Sequence, residues 1–139
     1  MYFVSTHMKT TLIRVFGVIL LLLGFIGFFS NSLIGSAGYF YADTGMNIVN
    51  LLAGIILLAV SGTEESSALT LKIVGVIYFA IAVIGFVLMT PATGFVSVLG
   101  FIGVNTAANW LYGIGGVLMF GSGFVENKQT VMIHTKSHA

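Results

Sequence analysis

Cysteine does not occur in this chain. Its absence excludes disulfides, thiolate metal sites and cysteine nucleophiles, and it leaves the redox compartment open. Charge is almost as scarce: 5 Lys and Arg and 4 Asp and Glu stand among 139 residues, 6% of the chain, where a soluble domain carries roughly a quarter. So few charges cannot build the polar skin of a soluble domain. The net charge of +1 supplies no basic field for nucleic acid or for an acidic partner. The histidines, His7, His134 and His138, all fall in the tails. The acids Asp43, Glu64, Glu65 and Glu126 fall at the ends of apolar stretches or between them, so Glu64 and Glu65 read as solvating a short turn. Pumps and ion-coupled transporters need ionisable groups inside their spans, and no catalytic constellation is visible.

What the chain has in quantity is apolar sequence, 58% of its residues. About 20 mostly apolar residues cross a bilayer core, and four stretches approach that length: about 12–29, 46–61, 71–89 and 107–125. The expectation is a single all-α membrane domain, a four-transmembrane-helix bundle. Lys9, Arg14, Lys72, Lys128 and Lys136 all belong to one face of such a bundle, and the first and third loops have no Lys or Arg. The positive-inside rule then places both termini in the cytoplasm, with the chain multi-pass in the cell (inner) membrane. A rival reading makes the first stretch a cleaved leader ending near Gly35-Ser36-Ala37.

The two halves repeat. Arg14–Phe28 aligned with Lys72–Phe86 gives six identities in fifteen positions, among them Gly17/Gly75, Gly27/Gly85 and Phe28/Phe86, with Arg14 on Lys72. Gly38–Gly54 aligned with Gly100–Gly116 matches Thr44/Thr106, Asn47/Asn109 and Gly54/Gly116, with Asp43 on Asn105. Two tandem helical hairpins of the same orientation, a parallel internal repeat, are the expected architecture. Asp43 and Asn105 are natural N-caps. Asn47 and Asn109, one turn on, are expected to face the interior and to tie the second helix to the fourth or to an outer loop. Gly17, Gly24, Gly54, Gly75, Gly116 and Gly123 recur at seven-residue steps and form stripes for close helix packing; a slot for a flat ligand is the alternative.

Tyr39, Phe40, Tyr41, Trp110 and Tyr112 read as an aromatic belt at the outer interface, and Tyr78, inside the third span, needs a hydrogen-bonding partner. The third loop, 90–104, is uncharged and apolar. It is expected to lie in the interface, fold onto the bundle or meet a neighbour.

Val104-Asn105-Thr106-Ala107-Ala108-Asn109-Trp110-Leu111-Tyr112 with Gly116, and Asp43-Thr44-Gly45-Met46-Asn47-Ile48-Val49-Asn50 with Gly54, resemble a signature of small bacterial four-helix membrane proteins of unknown function. Their pattern is Val-Asn-x-x-His/Asp-Asn-x-x-His. Asn50 and Tyr112 replace its histidines, and Met46 and Ala108 stand at its His/Asp positions. Roles for those histidines therefore do not transfer, and the resemblance implies a fold rather than an activity.

The function expected is non-enzymatic, with no cofactor: an accessory or assembly subunit that works by helix packing in the lipid bilayer. Its partner would be a larger membrane-protein complex, such as an energy-converting one, or a second copy. The alternative is a membrane-embedded binder of a lipid, quinone or pigment held between the hairpins.

Overall fold

In the computed structural model, residues 7–126 are described in full and 2–5 and 129–132 by backbone only. Lys128, Lys136, His134 and His138 lie outside the described side chains. Four helices dominate: α1 Met8–Ile26, α2 Thr44–Ala59, α3 Glu64–Leu88 and α4 Thr106–Ser122. Two of them, α1 and α3, are long and apolar enough to cross a membrane; α2 and α4 have 16 and 17 residues.

The ends differ from those expected, for local reasons. α1 stops at Ile26 because Asn31 turns back, its Nδ2 donating to the carbonyls of Ile26, Phe29 and Ile34; Phe28 and Phe29 are outside the helix. α2 and α4 start where their caps dictate and end short of 61 and 125. α3 starts at Glu64 rather than near 71, because Thr63 caps it by accepting from Ser66 N at 3.2 Å. Two glutamates in its first turn favour the positive end of the helix dipole.

The chain is not wholly helical. Short strands pair in twos: β1 (Tyr2–Ser5) with β6 (Gln129–Met132), β2 (Ile34–Gly35) with β3 (Phe40–Tyr41), and β4 (Phe95–Val98) with β5 (Ile102–Asn105). The helices cannot satisfy backbone groups in the segments outside them, and strand pairing does so there. The apolar third loop is the antiparallel β4–β5 hairpin. It folds onto the bundle, burying Val98, Ile102 and Val104 and leaving Leu99 and Phe101 exposed.

α1 packs chiefly on α2, and α3 chiefly on α4. The core between the pairs contains Ile13, Leu20, Met46, Leu57, Leu71, Tyr78, Tyr112 and Met119. One end of the bundle gathers the start of α1, the end of α2, the start of α3 and the end of α4. The other end carries both longer loops, joined by an edge contact between Tyr41 and Phe95.

Candidate functional site

The centre of the molecule is polar. Tyr78 on α3 donates its hydroxyl to Asn50 Oδ1 at 2.7 Å, and Asn50 Nδ2 on α2 donates to the Tyr112 hydroxyl on α4 at 3.2 Å. All three are at most 2% exposed, and the phenol rings meet at 5.6 Å. Three helices are therefore clamped by neutral groups that satisfy one another. Tyr112 does not join the interfacial belt expected of it: it lies almost two turns inside α4, on the face that meets Asn50. Asn50 and Tyr112 are matched positions of the two halves, and Leu20 holds the place in α1 that Tyr78 holds in α3. The signal that could have found this cluster was an asparagine inside an apolar run, where an unpaired amide is costly.

At the end with the long loops, one of the two cap residues also joins the halves. Asp43 Oδ1 accepts from Met46 N at 2.9 Å and caps α2. Asn105 Oδ1 caps α4 by accepting from Ala108 N at 2.9 Å. It also accepts from Tyr41 N at 3.2 Å, while Nδ2 donates to the Tyr39 carbonyl at 2.9 Å. Asn105 thus makes the tie to an outer loop that was expected of Asn47 and Asn109.

Those two asparagines are buried, but they do not tie α2 to α4. The Asn47 amide fills the space that a Cβ on Gly27, the C-cap of α1, would need, and the Asn109 amide fills that space at Gly85 of α3. Gly27 and Gly85 are the matched glycines of the repeat, so each asparagine locks into its own hairpin. Asn47 Oδ1 and both amide atoms of Asn109 have no conventional hydrogen-bond partner among the described residues. Weak Cα–H···O contacts to the glycine backbones are what such an approach offers. A polar pocket of about 110 Å³, lined by Asp43, Thr44, Ser36 and Asn47, opens beside the first of these contacts.

The remaining small residues mark the crossings within each pair. A Cβ on Gly75 would lie 2.7 Å from the Gly116 carbonyl, and one on Gly116 the same distance from the Gly75 carbonyl. Gly54 stands against the Gly17 carbonyl at 2.8 Å, and Gly24 against Asn47 O and Leu51 N at 2.8 Å. Gly123 faces Ala68 O at 2.8 Å and Lys72 Cγ at 2.7 Å. These glycines hold the chain's own helices together.

At the opposite end, Glu64 does more than solvate a turn. Its carboxylate accepts from Lys9 N at 3.2 Å and Thr10 N at 3.1 Å, capping the first turn of α1 from the start of α3. His7 Nδ1 lies 3.8 Å from the same carboxylate, so this histidine belongs to the helix cap rather than a loose tail. Arg14 donates from Nε to Ser61 Oγ at 3.2 Å and from Nη2 to Ser61 O at 3.3 Å. Lys72 lies two turns inside α3, with Nζ 4.0 Å above the Phe124 ring. Each cation reaches the C-terminal end of the neighbouring helix, where the dipole favours positive charge.

Among the described residues no cluster of His, Cys, Asp or Glu could hold a metal ion. Two apolar hollows, of about 280 and 240 Å³, lie on the outer face of the α3–α4 pair, and a more open one of about 430 Å³ lies on α1 beside Arg14. No curated protein and no solved structure gives a significant match to the chain. Residues 11–125 do match one family model, described as a domain of unknown function, DUF4383. In keeping with the resemblance to an uncharacterised family, the chain is a member of that DUF4383 family.

Proposed function

We propose that this is a four-span integral membrane protein made of two tandem hairpins, lying in the cell (inner) membrane with both termini cytoplasmic. It acts without catalysis, as a small accessory or assembly subunit, through contacts of its outer helix faces. The observation that carries the reading is the inside-out distribution of polarity. Val18, Leu22, Ile55, Ile73, Val76, Ile114 and Val117 are exposed on the outer faces, while the Asn50–Tyr78–Tyr112 cluster is buried at the centre. Water would leave that apolar girdle as an aggregation surface; lipid or a partner helix suits it.

Other features support the reading. α2 and α4 are each led by a strand that adds length at the outer end. Lys9, Arg14 and Lys72 share the end that holds the α2–α3 turn, as the positive-inside rule requires of a cytoplasmic face. The packing of α1 along α2 gives the first helix work that a cleaved leader would not have.

Purification from native membranes in mild detergent, followed by mass spectrometry, tests the role. A stoichiometric membrane-protein partner, or a defined oligomer, is expected. A lone monomer whose extraction leaves the membrane's complexes intact would refute the assembly role. The alternative, a lipid, quinone or pigment binder, draws its support from the two apolar hollows on the outer face of the α3–α4 pair.

A further inference from the structure

The two hollows are one groove, since both are lined by Phe79 and Val117. Val76, Phe79, Val83 and Phe86 form its α3 wall, on the same helical stripe as Lys72. From Lys72 to Phe86 is about 21 Å of helix, longer than the ~15 Å depth of one leaflet's hydrocarbon. The groove ends in an edge-on pair, Trp110 against Phe86 at 5.2 Å, near the outer loops. At the other end stands the Lys72 ammonium over Phe124.

The cations of the two halves differ in one respect. Arg14 is tied by two hydrogen bonds to Ser61. Lys72 meets Gly123 at the matching place, which has no hydroxyl to offer. Among the described residues, Lys72 has no hydrogen-bond acceptor and no carboxylate within ion-pair distance. An apolar channel with an ammonium one turn beyond its cytoplasmic end, donors to spare, fits a molecule with an acyl chain and an anionic head. A partner helix lying there would bury that charge uncompensated.

We infer that the α3–α4 groove binds one anionic phospholipid of the inner leaflet, its phosphate at Lys72 and one acyl chain along Val76, Phe79 and Val83. The inference rests on the four-span reading, which cysteine labelling of the loops tests separately. If that topology holds and lipid selectivity fails, only the groove assignment falls.

The test is native mass spectrometry of the whole protein, released from vesicles of equal parts phosphatidylglycerol and phosphatidylcholine. The wild type is expected to retain one phosphatidylglycerol with about fivefold preference, the contribution of one Lys near an anionic surface. Lys72→Gln should abolish the preference, whereas Lys9→Gln, which removes the same charge at the same end, should keep it. Val83→Trp, placed on an exposed position so that the core is untouched, should reduce retention of both lipids. The groove assignment is overturned if Lys72→Gln leaves the preference intact or Val83→Trp leaves retention unchanged. It is also overturned if crosslinks from Ile114 capture another protein's helix in the groove.

Discussion

Asn50 offers its amide to two phenols at once, and a buried amide is worth most where removing it strands its neighbours. Asn50→Leu would leave the Tyr78 and Tyr112 hydroxyls without their partner at the centre of the bundle, a loss of about 1–3 kcal/mol. Adding Tyr78→Phe and Tyr112→Phe removes the stranded groups, so the triple variant should be more stable than Asn50→Leu alone. Thermal unfolding in detergent of the wild type, the single and the triple variant checks this; a triple variant weaker than the single would show that the cluster is held by packing. Little of this arrangement was legible beforehand. An aromatic near the start of an apolar run reads as an interfacial anchor, and Trp110 does stay on the surface. For Tyr112 the deciding neighbour is 62 residues away, and composition says nothing about which face of a helix a distant asparagine will meet.

At the scale of elements, the recurring glycines and the two cap positions were readable, because small size and a short side-chain acceptor have few other uses at such spacing. The helix ends were not. Hydropathy reports where side chains prefer lipid, whereas a helix continues through polar residues as long as its backbone groups are satisfied, as in the first two turns of α3. The difference between glycines that pack and those that do not gives a paired expectation. Gly75→Ala would drive a methyl to 2.6 Å from Phe120 N, and the α3–α4 pair should lose about 1–3 kcal/mol. Gly121→Ala meets nothing within 4 Å and should be neutral or gain up to ~1 kcal/mol from helix propensity. Melting temperatures of the two variants moving together would contradict the packing described. Glu64→Ala removes an acceptor from the first turn of α1, at a cost of about 1 kcal/mol. Amide exchange should then quicken at Lys9 and Thr10 before it does in the middle of α1.

For the molecule as a whole, the arrangement of ends makes a direct topological expectation. Ser32 in the first loop and Gly62 in the second are exposed and lie at opposite ends of the bundle. Single cysteines there should react with an impermeant thiol reagent from opposite sides of the membrane, Ser32→Cys from outside. Reaction of both from one side would end the four-span reading. The Glu64 cap also bears on how the chain is made. Its acceptor for the first helix belongs to the third, so the N-terminal turn of α1 stays incompletely hydrogen-bonded until residue 64 has been synthesised. A nascent chain stalled after α2 would therefore carry a first hairpin short of about 1 kcal/mol of capping, its leading turn the part most readily cut by proteases.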